Sequence, residues 1–157
     1  MATRSSIAYK TERGVTAIYC HWDGYPAHNG KILEENYQAA YLIGKLIAGG
    51  DLSSLRENIF PPAGASHDFE NSLDDVCVYY GRDRGEKGTE PKEFADVKEW
   101  VEHYDGAGCE YFYLWNGKEW LVHHYAETDS MGFPFFEINK DKVDFEIKRL
   151  KAMGYEV

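Results

Sequence analysis

Cys109-Glu110-Tyr111-Phe112-Tyr113-Leu114-Trp115-Asn116-Gly117-Lys118-Glu119-Trp120-Leu121-Val122-His123-His124-Tyr125 is the stretch that decides the fold. Aromatic and β-branched runs flank Asn116-Gly117, a dipeptide that supplies the two positive-φ residues of a type I′ turn, so the segment reads as a β-hairpin. A two-residue turn predicts that Trp115 faces Lys118, Tyr113 faces Trp120, Phe112 faces Leu121, Tyr111 faces Val122 and Cys109 faces His124. Side chains alternate across a strand. One face therefore carries Phe112, Leu114 and Leu121, which suits a core under helices. The other carries Tyr111, Tyr113, Trp115 and Trp120, whose rings fit either a second packing layer or a surface that stacks on a nucleobase or anchors a protein.

Working back from the hairpin, Glu90-Pro91 opens a helix whose buried stripe is Phe94, Val97, Val101 and Tyr104, with Gly106 just past its end. Val76–Tyr80 is a strand by β propensity, and Pro61-Pro62-Ala63-Gly64 is a loop by composition. Leu52–Arg56 has the look of a short helical turn. A helical pattern starts near Asn29, carries Ile32, Leu33, Tyr37, Ala40, Tyr41, Leu42 and Leu46, breaks in two near Asn36–Gln38 and stops at Gly49-Gly50. At the front, Ser6–Lys10 and Val15–Trp22 form a hairpin around Thr11-Glu12-Arg13-Gly14. Beyond Tyr125, Asp141 to Met153 reads as a final amphipathic helix. Hairpins with helices inserted between them predict an α+β fold, an antiparallel sheet with helices packed mainly on one face. The 157 residues fit a single domain spanning 1–157.

Composition narrows the function classes. Net charge is −10, the opposite of the basic footprint that DNA, RNA or anionic membranes require. The same excess keeps a protein soluble and also equips it to compete for a basic groove on a partner. No apolar run nears the roughly 20 residues of a membrane helix, and no signal peptide precedes Ser5 to Tyr9, so the expected place is the cytoplasm. Cys20, Cys77 and Cys109 are too widely spaced for a zinc knuckle or a redox pair and sit in apolar runs, as buried thiols do. No metal and no cofactor is expected: His21-x-Asp23, His28, His67-Asp68 and His123-His124 match no established ligand spacing.

Two constellations could carry chemistry. In Cys20-His21-Trp22-Asp23-Gly24-Tyr25-Pro26 and His28-Asn29-Gly30-Lys31, His21 and Asp23 project to one side of a strand end. His28 or Asn29 would stand at the start of the next helix, where free amides attract anions and Lys31 adds charge. The plain alternative is turn chemistry at Gly24-Tyr25-Pro26 with Asn29 as an N-cap. In Tyr79-Tyr80-Gly81-Arg82-Asp83-Arg84-Gly85-Glu86, a continued strand would put Arg82 and Arg84 on one face, a pair of forks for carboxylate or phosphate. Ion pairing with the surplus carboxylates is the competing use. No Gly-x-Ser-x-Gly elbow or Ser–His pair supports a nucleophilic hydrolase.

The same motifs, taken with Thr3-Arg4-Ser5, Gly30-Lys31-Ile32-Leu33, Gly50-Asp51-Leu52-Ser53-Ser54-Leu55, Ser66-His67-Asp68-Phe69 and the run from Glu110-Tyr111 to Val122, resemble a family of small phage and prophage proteins. The resemblance spans most of the first 125 residues. It implies a small cytoplasmic accessory protein made during infection, of a kind that more often inhibits a host factor than catalyses metabolism. Two expectations follow. One is a non-catalytic inhibitor of a host defence or nucleic-acid-handling protein, without direct contact to nucleic acid or membrane. The other is a pocket protein that binds a phosphorylated small molecule or nucleotide, with or without hydrolysing it. His21, Asp23, Tyr25, His28, Lys31, Arg82 and Arg84 are the candidate ligand-binding residues for either, with none assigned a catalytic role. The strand ends at His21–Asp23 and Arg82–Arg84 are expected on one rim of the sheet.

Overall fold

The structure, a computed structural model, describes residues 2–124, the strand Phe136–Glu137 and the single positions 148, 152 and 154. The helix expected at 141–153 lies outside the described residues. The strands are β1 (Arg4–Thr11), β2 (Gly14–Cys20), β3 (Leu52–Ser54), β4 (Val78–Tyr79), β5 (Lys92–Phe94), β6 (Cys109–Trp115), β7 (Trp120–His124) and β8 (Phe136–Glu137). The helices are α1 (Lys31–Asn36), α2 (Ala40–Ala48), α3 (Tyr80–Arg84) and α4 (Val97–Gly106), with a π turn at Pro26–Gly30. The strands form one sheet in the order β4-β3-β2-β1-β6-β7-β8, and β5 pairs with the outer side of β2.

Helix and strand are mixed as expected, but the sheet is not purely antiparallel. β1 runs parallel to β6, and β2 meets β3 in parallel. Helices cover both faces rather than mainly one. Ile7, Ile18, Tyr111, Tyr113, Trp115 and Trp120 pack with Leu33, Ile43, Leu46 and Ile47 of α1 and α2. Ala8, Val15, Ala17, Phe112 and Leu114 pack on the other side with Trp100, Val101 and Tyr104 of α4. A strand buried on both faces loses the apolar–polar alternation and reads as a continuous hydrophobic run, as β6 does. The aromatic face of the hairpin is thus core, and two of its polar tips bond backbone carbonyls: the Trp120 indole N–H donates to Tyr37 O at 2.7 Å and the Tyr113 hydroxyl to Gly24 O at 2.6 Å.

The β6–β7 hairpin forms, with a register two residues from the expected one. Trp115 faces Trp120, Leu114 faces Leu121, and Tyr113 faces Val122. The cause is the Asn116 side chain. Its Oδ1 accepts the N–H groups of Lys118 (2.9 Å) and Glu119 (2.8 Å), which draws both residues into a four-residue loop. The Trp115 and Trp120 rings then meet at 5.5 Å, where the shorter turn would have set Lys118 against a buried tryptophan. Because the shift is by two, each side chain keeps the face expected of it.

Other local expectations change for definable reasons. Leu52–Ser54 is a strand, bonded to Cys20 on one side and Tyr79 on the other. Pro91 precedes strand β5, and α4 starts only at Val97. Asp96 Oδ1 accepts the Glu99 N–H at 2.8 Å as the N-cap, and the Glu99 carboxylate reaches one residue further back to accept the Ala95 N–H at 3.1 Å. The strand at Val78–Tyr79 does not continue into Arg82–Arg84. Asp83 Oδ2 accepts the Tyr79 N–H at 2.8 Å, folding Tyr80–Arg84 into α3, which left-handed Gly85 ends.

One buried hydroxyl ties α4 to the sheet. Ser6 Oγ donates to Ile18 O and accepts the Trp100 indole N–H, both at 2.8 Å. Ser6→Ala removes both bonds at a fully buried position and should cost about 1–3 kcal/mol, read as a lower urea midpoint with an unchanged m-value.

Candidate binding loop at the end of β2

β2 delivers the chain at Cys20 into a loop that is held from beneath. Asn29 is completely buried. Its side-chain amide donates to Ser5 Oγ (3.3 Å), Cys20 Sγ (3.4 Å) and Trp22 O (3.4 Å), and its Oδ1 lies 2.8 Å from His28 Nδ1, which donates to it. The Tyr113 hydroxyl grips Gly24 O, and the Gly24 N–H donates to Thr3 O at 2.8 Å. A Cβ on Gly24 would stand 2.8 Å from Ser5 Cβ and from Thr3 O, so only glycine fits there. Between these clamps Asp23 adopts φ 55°, the one non-glycine residue described in the left-handed region. The Tyr25 hydroxyl donates to Asp23 Oδ1 at 3.0 Å, and Asp23 O accepts the Asn29 N–H at 3.3 Å.

What the clamps present is Trp22, 43 % exposed, with the half-buried His21, Asp23, Tyr25 and His28 around it. His21 meets the Trp22 ring edge-on at 4.6 Å, and its Nδ1 sits 2.7 Å from the Tyr19 hydroxyl. Burial, and then the Arg4 charge, hold the His21 imidazole below its ordinary pKa, in the neutral form. Burial also raises Tyr25, reinforced by its bond to Asp23. Asn29 is not the N-cap expected of it. The π turn Pro26–Gly30 precedes α1, and the Lys31 N–H is spent on His28 O and Pro26 O. Lys31 itself is exposed.

Arg82 and Arg84 do not join this loop. β2 and β3 run parallel while β3 and β4 run antiparallel, so the chain leaves β2 and β4 in opposite senses. The Arg82 guanidinium donates to Ile59 O (2.6 Å), Cys77 O (2.8 Å) and the Asp83 carboxylate, and it lies over the Tyr79 ring at 4.7 Å. Arg84 lies over Phe69 at 4.8 Å. Among the described residues no hydrogen bond or ion pair links either arginine to residues 21–31. His67 is also occupied: its Nδ1 accepts the Leu73 N–H at 3.0 Å, and its Nε2 faces Cys77 O at 3.0 Å and Asp83 at 3.4 Å. Among the described residues no three His, Cys, Asp or Glu side chains come together as a metal site would need. The thiols are poor nucleophiles. All three are buried, and desolvation pushes Cys20 up to about 12 and raises Cys77 and Cys109 as well.

Two residues of this corner escaped the reading of the sequence, Arg4 and Gly108. The first hairpin pairs Ser5 with Cys20 and Ser6 with Tyr19, so Arg4 and His21 are the next residues beyond the ladder, and the Arg4 charge reaches the His21 ring. Arg4 packs over Gly108, where a Cβ would lie 2.6 Å from Arg4 Nη1. The signal for Arg4 was present in the turn at Glu12-Arg13, which fixes that register; the signal for Gly108 was not. Comparison with protein-family models, with curated proteins and with solved structures gives no match.

Asn29→Ala strips the loop of its buried bracket and should lower stability by about 1–3 kcal/mol, measured by urea unfolding. The thiols give a pH prediction. In the unfolded chain Cys20 ionises near its ordinary value of about 8.5, whereas in the folded protein it stays protonated up to about 12. Between those values the native state holds the extra proton. Stability is therefore full below the window and falls as pH rises through it, by roughly 1.4 kcal/mol per pH unit for one such group. Chemical denaturation at a series of alkaline pH values, repeated with Cys20→Ala, measures the slope and its partial loss.

Proposed function

We propose that this protein is a non-catalytic binding protein whose contact surface is the loop from His21 to His28, with Trp22 as its anchor. The observation that carries the reading is the loop's construction. A buried asparagine, a buried tyrosine hydroxyl and a left-handed aspartate fix a short segment whose most prominent feature is an exposed indole. Backbone strain and buried polar bonds cost stability, and folds retain them where geometry has a use. Tryptophan in a rigid setting contributes more to protein–protein affinity than almost any other side chain.

The acid, base and nucleophile candidates support binding over turnover, since they are engaged within the fold or desolvated. The partner we infer is a protein of the host cell, in its defence or nucleic-acid handling, met in the cytoplasm by a phage-encoded accessory protein; the family resemblance supplies that context. The −10 charge would speed encounter with a basic partner and repel nucleic acid itself.

The test is quantitative affinity capture from host lysate with matched variants. Trp22→Ala should lose the partner captured by the wild type with little change in melting temperature, because the indole is exposed. Phe60→Ala, at another exposed ring, serves as the control that retains it. Capture by Trp22→Ala equal to the wild type would overturn the reading.

A further inference from the structure

On the α4 face of the sheet the corner beside this loop holds a second arrangement, which shares His21 and Trp22 with the loop and adds Arg4, Tyr19 and Tyr104. Ser6 and Tyr19 are a cross-strand pair on that face, shown by the Ser6 bond to Trp100 of α4. Arg4 and His21 are the residues just beyond the last ladder pair, Ser5 with Cys20, and the Arg4 charge bears on the His21 ring. Among the described residues the Arg4 guanidinium makes no hydrogen bond and no ion pair, and the residue is exposed. It is nevertheless placed, since it packs on the Cβ-less surface of Gly108.

The histidine is set to assist it. The Tyr19 hydroxyl lies 2.7 Å from His21 Nδ1 and has no other partner among the described residues; in the Nε2–H tautomer it donates to that nitrogen. In that tautomer the ring's proton is on Nε2, which has no partner among the described residues and is available as a donor. Asp51, the carboxylate beside Tyr19, is drawn away by the Tyr19 backbone N–H at 2.9 Å. Below the corner lies the Tyr104 hydroxyl, 3 % exposed and without a protein partner among the described residues, next to Asp51 and to Cys109, which pairs with Arg4 across β1 and β6. A buried hydroxyl left unpaired is costly, and such atoms concentrate where a fold serves something besides its own packing. The Trp22 ring stands edge-on to His21 at the rim.

We propose that Arg4 and His21 form an anion clamp for a small phosphate monoester bearing a planar ring. The Arg4 fork and the His21 Nε2–H would hold the phosphate oxygens, and the Trp22 indole would meet the ring. Phosphate fits better than a carboxylate because its three oxygens can occupy a bidentate guanidinium and a third donor together. A small ester fits better than a polymer because the surrounding acidic surface repels a polyanion. The clamp needs no protein partner, so it can fail or stand independently of the binding function proposed above.

The experiment is an NMR titration of the full chain, following the Arg4 Nε–H and the His21 ring, with inorganic phosphate, phenyl phosphate and acetate as probes. We expect saturable shifts at both residues with phosphate, tighter binding of phenyl phosphate and little response to acetate. Arg4→Gln should weaken phosphate at least tenfold while the rest of the spectrum stays native. Trp22→Ala should remove the advantage of phenyl phosphate and leave inorganic phosphate unaffected. Gly108→Ala, which displaces the guanidinium, should behave like Arg4→Gln; if it unfolds the chain, Arg4→Gln alone decides. No saturable shift at Arg4 and His21 with either phosphate probe, or unchanged affinity in Arg4→Gln, would overturn the clamp. Equal affinity for acetate would overturn its phosphate selectivity, and equal affinity for the two phosphates would overturn the role of the ring. Loss of partner capture in Trp22→Ala with phosphate binding intact would separate the two functions.

Discussion

The rest of the structure depends on β1 being buried from both sides. Ile7 and Ala8 are adjacent, point to opposite faces and are each 0 % exposed. Ile7 belongs to the core under α1 and α2, Ala8 to the core under α4. That is possible only if β1 has a strand on either edge as well, since a backbone without water must find its hydrogen bonds in the sheet. β2 supplies one edge through a tight hairpin. The other edge is taken by β6, which returns from some hundred residues further along the chain and pairs in parallel. Closing so long a loop is entropically expensive. What repays it is the burial of Tyr111, Phe112, Tyr113 and Leu114 in a single stroke, two on each face.

Burying so many aromatic rings raises a second demand, because tyrosine and tryptophan carry polar atoms that must not be stranded. Several of these rings reach a main-chain carbonyl that lies outside a ladder. Tyr37 donates to Arg56 O, Tyr79 to Leu46 O, Tyr113 to Gly24 O and Trp120 to Tyr37 O, all between 2.6 and 2.7 Å. These bonds couple core to loop. Tyr113 is the clearest case: its ring is core, and its hydroxyl fixes the glycine on which the Trp22 loop turns. Core packing and the shape of the candidate surface are therefore not separable in this protein.

The parts of the fold legible in the sequence were those set by neighbouring residues. The turn at Glu12-Arg13 fixed the first hairpin, the two-residue period of a strand sorted the side chains of β6 onto two faces, and Asn36–Gln38 marked the break between α1 and α2. Errors arose where a side chain captured a backbone group at short range. Asn116 enlarged the second hairpin loop, Asp83 wound an expected strand into α3, and Asp96 with Glu99 started α4 later than Pro91 suggested. The parallel pairing of β1 with β6 was out of reach for a different reason. No local feature of either strand specifies a partner so distant, and both were buried too completely to show which face met which helix. The candidate site divides along the same line. The loop from His21 to His28 was recognisable as a cluster of polar residues with no use in a core, whereas the separation of Arg82 and Arg84 from it follows from the strand directions alone.

The polar motifs of this chain also show how far a side chain's chemistry is from deciding its use. Arg82 and Arg4 are both arginines next to strand ends, and from sequence Arg82 was the more inviting, with a second arginine two residues away. In the fold, the guanidinium of Arg82 spends its donors on Ile59 O, Cys77 O and Asp83, so it holds the 59–77 segment to α3 and has little left to offer a ligand. Arg4 donates to nothing in the described protein and rests on a glycine. The difference lies in what surrounds each fork. Carbonyls and a carboxylate converge on one, while no carboxylate pairs with the other among the described residues. In an acidic protein a positioned and unneutralised arginine keeps a local positive field that the net charge does not erase, and short-range recognition of an anion depends on that field rather than on the sum over the surface.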